Sequence, residues 1–183
     1  RFMSNQKSPV KVVGIGKKGL DYSRRNSLEI IGSIVGISDK PNPVETSKIA
    51  DILINEYKEG GIDSVYICYS QFINTTLQKP ILSPLLPITA DFLTVTNNEY
   101  IYEPTASIVL SNLLPRYVQT LVHHAVLEAN ASEQSARMVA MNQATDNANE
   151  MVDDLTLLMN KMRQEMITNE LLDIVGGVSA LEA

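Results

Sequence analysis

Residues 144–162, ATDNANEMVDDLTLLMNKM, carry the pattern that decides the fold. Apolar side chains recur in this stretch at spacings of 4, 3, 4, 3 and 4 residues, at Ala144, Ala148, Met151, Leu155, Leu158 and Met162. This heptad spacing predicts one side of a coiled coil. We call these six residues the seam. An apolar seam has to be covered, so the pattern predicts a partner helix that this sequence does not contain.

The seam lies in a stretch that predicts one very long helix. From about Thr105 onward there is one proline, Pro115, and no glycine before Gly176. If residues 116–175 are continuous, the helix is about 90 Å long at about 1.5 Å per residue. The alternative is a helix lying across the rest of the chain. A domain of about 100 residues is only about 25–35 Å across, so it cannot cover such a helix.

The first half of the chain predicts a small α/β domain. Short β-branched runs alternate with helical stripes, which favours a Rossmann-like layer with a mostly parallel sheet. The predicted strands cover residues 9–14, 28–37, 63–72 and 77–82, with helices at 20–26 and 45–59 and an edge strand at 100–102. Residues 73–76 predict the turn of a hairpin. We therefore expect an α/β foot domain at residues 1–103 and the long helix at residues 104–183.

Composition and charge exclude several function classes. Aromatic residues make up 5% of the chain and tryptophan is absent, which disfavours stacking platforms for bases. The net charge is -6, and residues 104–183 carry all of it, with 4 Lys/Arg against 10 Asp/Glu. An acidic helix is a poor ligand for nucleic acid. With one cysteine and neither a signal peptide nor a long apolar span, we expect a soluble chain kept in a reducing compartment.

One motif formally matches a dinucleotide-binding turn. Gly14-Ile-Gly16-Lys-Lys-Gly19 follows a predicted strand, and Asp39 comes about 20 residues later. Only eight residues separate Gly19 from Leu28, so the crossover is cramped. We expect a plain turn at the strand end here and no bound cofactor.

The other reactive side chains do not form a catalytic set. His123 and His124 are adjacent on the helix and point about 100° apart, so they cannot share a metal. Cys68 is predicted to be a small core residue of a buried strand. The pair Asp153-Asp154 is predicted to face solvent, and Ser132 beside Glu133 lacks a positioned base. The sequence therefore indicates no catalytic residue, metal site or cofactor.

The C-terminal stretch is almost uncharged. Residues 171–181, LLDIVGGVSAL, carry only Asp173. An apolar tip on an exposed helix invites aggregation. It either folds back on the foot domain or lies inside an apolar sleeve formed by other subunits.

Several stretches resemble the gamma subunit of F-type ATP synthases. The C-terminal matches are ASEQSARMVAMNQATDNA at 131–148, NKMRQ at 160–164 and ITNELLDIVGGVSA at 167–180. Shorter matches upstream are GKKG at 16–19, Lys79-Pro80, LLP at 85–87 and YEP at 102–104. The resemblance covers nearly the whole chain. Its Ala-Thr-Asp-Asn motif is similar to that of bacterial rather than mitochondrial members.

The resemblance implies a non-catalytic rotor subunit of the central stalk. In this family two long helices form an antiparallel coiled coil inside a ring of three alpha and three beta subunits. The α/β domain meets the epsilon subunit and the membrane-embedded c-ring. Rotation then couples proton transport to ATP synthesis on beta. The implied location is the cytoplasmic face of the bacterial plasma membrane, with membrane contact only through the complex.

The resemblance also assigns residues and shows departures. The positions that match the family's contacts with beta are Arg137, Arg163, Gln164, Thr168 and Glu170. Val178 stands where the family has alanine, and Met162, Glu165 and Met166 replace small residues. The family's N-terminal helix is expected to be the missing partner of the seam.

Two other functions remain open at this point. The first is a small nucleotide-binding oxidoreductase that uses the turn at residues 14–19. The second is a generic coiled-coil adaptor. Nucleotide titration distinguishes the oxidoreductase from a rotor subunit, and co-purification with alpha and beta distinguishes the adaptor.

Overall fold

The computed structural model describes residues 8–88 and 101–181. Within these ranges the chain folds as an α/β part followed by one long helix, as the sequence predicts. The elements in chain order are β1 (Lys11–Ile15), α1 (Lys17–Arg25), β2 (Glu29–Ile34), α2 (Pro43–Lys58), β3 (Val65–Phe72), β4 (Gln78–Leu86) and α3 (Ala106–Leu181).

The four strands pair in two separate two-stranded sheets. β1 pairs with β2 in parallel, and β3 pairs with β4 antiparallel. The prediction of one mostly parallel sheet is therefore wrong for the described residues. The physical reason is the connection: five residues join β3 to β4, which suffices for a hairpin but not for a parallel crossover.

Two further local predictions are also wrong. Cys68 is exposed rather than buried. β3 alternates, so Val65 is buried and Ile67 half-buried while Tyr66 and Cys68 lie on the outer face. Ile101 and Tyr102 form no strand. Residue 100, where that edge strand was expected to begin, lies outside the described residues.

The core lies between the sheets, α2 and the first part of α3. Its buried members are Ile49, Ala50, Val65, Leu85, Leu86, Val118 and Val122. α2 begins at Pro43, where the side chain of Asn42 accepts a hydrogen bond from the Val44 amide at 3.0 Å. This cap and the proline at the first turn explain why the helix begins there.

α3 begins just after Thr105. The Thr105 carbonyl accepts a hydrogen bond from the Val109 amide at 3.0 Å. The helix then continues through Pro115 and through Gly176-Gly177, so the predicted continuity of residues 116–175 is confirmed.

The chain divides into two compact units, residues 1–135 and residues 136–183. The first contains the α/β part together with the first thirty residues of α3. The division of domains at residues 103/104 stays a prediction.

Candidate functional site

The seam is an exposed apolar stripe on the second unit. Ala144 and Ala148 are exposed, and the four larger seam residues are between 52% and 64% exposed. Since α3 is helical throughout, the spacing of 3 and 4 residues places all six on one side. Two additional methionines, Met159 and Met166, widen this apolar side.

The five residues that match the family's contacts with beta are all exposed, but they lie on different sides of the helix. Arg163 and Glu170, seven residues apart, border the same shallow apolar groove as Leu155 and Met162. Arg137 lies seven residues before Ala144, which puts it on the seam side.

Gln164 and Thr168 lie on another side of the helix. They line a shallow polar groove together with Lys161, Glu165 and Asn169. The Thr168 hydroxyl donates to the Gln164 carbonyl at 2.9 Å, so its side chain is held along the helix. The structure therefore divides the five predicted residues between an apolar edge and a polar groove.

The apolar tip is helical and exposed over residues 171–178. A Cβ on Gly176 or Gly177 would have no atom within 4 Å. Neither glycine is therefore required by packing in this chain, although each lowers helix propensity by about 1 kcal/mol relative to alanine.

The turn at residues 14–19 has a structural explanation that involves no nucleotide. A Cβ on Gly14 would overlap Cδ2 of buried Leu20, so this glycine allows α1 to pack on β1. Gly16 has φ of +92°, which favours glycine, and its amide donates to the Ile34 carbonyl at 2.8 Å.

The acidic residue of the motif is also engaged elsewhere. Asp39 Oδ1 accepts a hydrogen bond from Gln134 Nε2 at 3.2 Å, and the Asp39 carbonyl accepts from Asn130 Nδ2 at 2.7 Å. These contacts bind Asp39 to α3, so the geometry does not favour the oxidoreductase alternative.

The adjacent histidines have separate partners. Nδ1 of His123 lies 3.0 Å from Oγ1 of Thr46 on α2. Nε2 of His124 lies 3.9 Å from Oε1 of Glu128, one turn along α3. Within residues 8–88 and 101–181, no three His, Cys, Asp or Glu side chains come together as a metal site.

Glu128 has one buried carboxylate oxygen. Its Oε2 is buried and has no hydrogen-bond partner within the described part of the chain. Burial, with a smaller effect of the Glu128 charge, raises the pKa of Tyr69 on β3 above its ordinary value. Both effects disfavour the charged phenolate.

Sequence reasoning missed a set of polar contacts along the first part of α3. Besides Thr46–His123, Nε2 of Gln119 donates to Oδ1 of Asp51 at 2.9 Å. In the sequence, the one indication of these contacts is that Gln119 and His123 are four residues apart, on the side of α3 that carries Val118 and Val122. That signal does not identify the partner residues.

Comparison with known proteins identifies the family. A family model described as ATP synthase matches residues 1–181. The ATP synthase gamma chain of Dehalococcoides mccartyi strain 195 is 50% identical over 181 residues. The chain belongs to the ATP synthase gamma-chain family.

The relatives are longer than this chain. The match to the Dehalococcoides mccartyi protein covers 98% of this chain and 64% of that protein. The gamma chain of Desulfitobacterium hafniense is 45% identical, with 94% and 61% covered. The gamma chain of Chloroflexus aurantiacus is 43% identical, with 99% and 64% covered. The chain thus spans less than two thirds of the length of these family members.

Solved structures show the same fold. A chain of the Euglena gracilis mitochondrial ATP synthase superposes with a TM-score of 0.62 at 18% identity, covering 98% of this chain and 65% of that one. A chain of the Tetrahymena thermophila mitochondrial ATP synthase, from its central stalk and c-ring, gives 0.58 at 24% identity, covering 78% and 63%. The predicted fold class, a small α/β domain followed by one very long helix, is confirmed.

None of the helices in the described ranges has an apolar stretch sufficient to cross a bilayer.

Proposed function

We propose that this chain is a central-stalk rotor component of an ATP synthase, which couples proton-driven rotation of a membrane ring to ATP synthesis on beta subunits. The observation that carries the proposal is the exposed seam of the second unit, in a chain that belongs to the gamma-chain family. The exposed seam needs a covering surface, and in the gamma-chain family the N-terminal helix provides it.

The seam pairs with a second helix, which the family resemblance gives as the N-terminal helix of gamma. Complete burial of a leucine or methionine is worth about 1.5–3 kcal/mol relative to full exposure. Met151, Leu155, Leu158 and Met162 are each at least half exposed, so a covering helix recovers a large part of this energy. Heptad spacing fits a helix better than a flat surface.

The chain acts by transmitting motion rather than by catalysis. Its exposed residues form a long apolar edge and a polar groove, which suit contact with protein surfaces. Rotation of such a helix changes which side faces each surrounding subunit. Distant sites are then coupled through rigid-body motion, and no chemical step takes place on this chain.

The partners follow from the same assignment. They are three alpha and three beta subunits around the helix, with the epsilon subunit and the c-ring at the α/β part. The relatives named above are bacterial, and the Tetrahymena structure includes the central stalk with the c-ring. We place the complex on the cytoplasmic face of a bacterial plasma membrane, with this chain peripheral to the bilayer.

Contact with beta involves two sides of the helix. Arg163 lies at the edge of the apolar groove, and Gln164 lies in the polar groove about 100° further round. An arginine can pair with a carboxylate on a beta loop through two parallel hydrogen bonds, which gives a directional catch. The two residues therefore act on different surrounding surfaces at any one rotor angle.

The test uses the assembled enzyme. The gamma subunit is expressed with alpha, beta and epsilon, and ATP hydrolysis and hydrolysis-driven proton pumping are measured for Arg163→Ala, Gln164→Ala and the double variant. We expect lower turnover or coupling in each single variant and the largest loss in the double variant. Arg163→Lys should be intermediate, because lysine keeps the charge but loses the planar fork.

Lys161→Ala is the matched control, because Lys161 lies in the same polar groove as Gln164 but is not among the predicted contacts. Unchanged hydrolysis and pumping in the double variant would remove both residues from the mechanism. Failure of the chain to co-purify with alpha and beta would contradict the rotor assignment itself and favour an adaptor.

A further inference from the structure

Four polar side chains connect one short stretch of α3 to the α/β part. Ser132 Oγ donates to the Ser70 carbonyl on β3 at 3.0 Å. Ser135 Oγ donates to the Thr75 carbonyl in the β3–β4 turn at 2.9 Å. These two serines are buried, at 3% and 9% exposure.

The other two contacts go to a different segment. Asn130 Nδ2 donates to the Asp39 carbonyl at 2.7 Å, and Gln134 Nε2 donates to Asp39 Oδ1 at 3.2 Å. Asp39 lies in the loop between β2 and α2. Within six residues, α3 is therefore bonded to two separate parts of the fold.

The two pairs lie on nearly opposite sides of the helix. At about 100° per residue, Ser132 and Ser135 are about 60° apart, and Asn130 and Gln134 are about 40° apart. The centres of the two pairs then differ by about 150° around the helix axis. A turn of the helix about its axis would displace the donors on both sides from their acceptors, so the two pairs together oppose rotation.

Apolar packing alone resists such rotation poorly. The side of α3 that packs against the core presents the aliphatic side chains of Val118, Leu121 and Val122. Their attraction to the core is non-directional, whereas a hydrogen bond weakens steeply as its angle departs from linear. The polar contacts at residues 130–135 therefore add to the bonds of Gln119 and His123 in defining the rotational setting of α3, while the apolar contacts hold it in place.

The position of this stretch gives it a mechanical role. Ser135 is the last residue of the first compact unit. Torque that travels along α3 thus enters or leaves the α/β part through the turns that contain residues 130–135.

We propose that Asn130, Ser132, Gln134 and Ser135 form a torsional clamp, which prevents α3 from turning about its own axis in the α/β part under load. This inference rests on the proposed rotor function, because only a rotor has to carry torque across this point. The four side chains are positioning residues: they contact no substrate and act through the stiffness of the rotor.

The test measures torsional stiffness in the assembled enzyme. The alpha–beta hexamer is fixed to a surface, a probe particle is attached to the α/β part of gamma, and the angular fluctuation of the particle is recorded while the rotor dwells. We expect Ser132→Ala/Ser135→Ala to raise the angular variance about 1.5-fold, since two of the six described side-chain hydrogen bonds between α3 and the α/β part are lost. Hydrolysis without load should remain unchanged, whereas hydrolysis-driven pumping against a proton gradient should fall.

A second variant covers the case in which loss of the buried hydroxyls prevents assembly. Asn130→Ala/Gln134→Ala removes the two exposed contacts and leaves the buried pair in place, and we expect a smaller rise in variance. Ser111→Ala is the matched control, because the Ser111 hydroxyl donates to the Ile108 carbonyl of its own helix at 2.8 Å. It loses a hydroxyl but no contact between α3 and the α/β part.

The two proposals fail in different ways. If the unsubstituted complex shows no hydrolysis-driven rotation of the particle, the rotor function itself is contradicted. If the unsubstituted complex rotates and Asn130→Ala/Gln134→Ala leaves the variance at the level of Ser111→Ala, the clamp is contradicted. A merely structural role of these residues would lower the melting temperature without changing the variance of the folded complex.

Discussion

Thr46 on α2 and His123 on α3 form a hydrogen bond, with Oγ1 and Nδ1 3.0 Å apart. The same Thr46 hydroxyl donates to the Pro43 carbonyl at 3.0 Å. A hydroxyl has one proton, so when it donates to Pro43 it is the Nδ1–H tautomer of His123 that donates to Thr46 Oγ1. Thr46 is fully buried, so this bond connects the two helices inside the fold.

Thr46→Val should lower the free energy of unfolding of the chain by about 0.5–1.5 kcal/mol, because the shape is kept while the bonds of Thr46 Oγ1 to half-buried His123 and to the Pro43 carbonyl are lost. Chemical denaturation measures this change. In ¹⁵N spectra at neutral pH we expect the Nδ1–H form of His123 in the unsubstituted chain.

Ser47→Ala provides the control for Thr46. The Ser47 hydroxyl also donates to a carbonyl of its own helix, that of Val44 at 3.0 Å, and this bond is exposed and lies within α2. Equal effects of the two substitutions would show that the bond to His123 contributes nothing to stability.

Gly14→Ala should destabilise the chain by about 1–3 kcal/mol, because overpacking forces a buried side chain out of its preferred position. The added Cβ would overlap Cδ2 of Leu20, and Leu20 is only 3% exposed. Gly19→Ala is the control: its Cβ meets no atom within 4 Å, and alanine favours a helix. We expect Gly19→Ala to stabilise the chain slightly.

The unsubstituted chain should not bind NAD or ATP in calorimetry. Micromolar NAD binding that is abolished by Gly16→Val would support the oxidoreductase hypothesis.

Much of the fold could be predicted from periodicity. The long helix followed from the absence of breakers between Pro115 and Gly176, and the hairpin followed from the turn after Phe72. The division into two sheets could not be predicted, because pairing partners depend on contacts between segments distant in sequence. The exposure of Cys68 could not be predicted for the same reason. A continuous apolar run does not reveal that only one face of β3 is buried.

The candidate site was predictable only in part. Heptad spacing placed the seam on one side of α3, since helix geometry alone determines this. The placement of Arg163 and Gln164 in different grooves also follows from their adjacent positions. The contacts of Ser132 and Ser135 could not be predicted, because their acceptors are backbone carbonyls, which every residue carries.

Leu155→Asp should affect the stability of the assembled complex much more than the stability of the chain alone. Leu155 is 58% exposed, so we expect the free energy of unfolding of this chain to change by less than about 0.5 kcal/mol. In the complex, a carboxylate in the seam should cost several kcal/mol because it is buried without a partner. The melting temperature of both forms is the measurement.

Asp154→Ala is the control for the seam, since Asp154 is exposed and lies about 100° from Leu155 on the helix. We expect it to change neither melting temperature by more than a small amount. If both substitutions lowered the melting temperature of the complex equally, the heptad register of the seam would be wrong.

The apolar tip should be ordered by its surroundings rather than by its own propensity. Residues 171–178 are exposed, and Gly176-Gly177 costs the helix about 2 kcal/mol relative to two alanines. Amide hydrogen exchange should therefore be fast at residues 171–178 in the chain alone and slow in the assembled enzyme. Residues 118–122 serve as the internal reference, because buried Val118 and Val122 should be protected in both states.

Deletion of residues 176–183 should then lower assembly or thermal stability more than it reduces rotation, as expected for a bearing that carries little torque. The nearly uncharged surface of the tip is the physical reason, because it offers few directional bonds that could hold one rotor angle. Strong protection of residues 171–178 in the chain alone would show that no sleeve is needed. Normal assembly with complete loss of rotation would show that the tip transmits torque, which would overturn its role as a bearing.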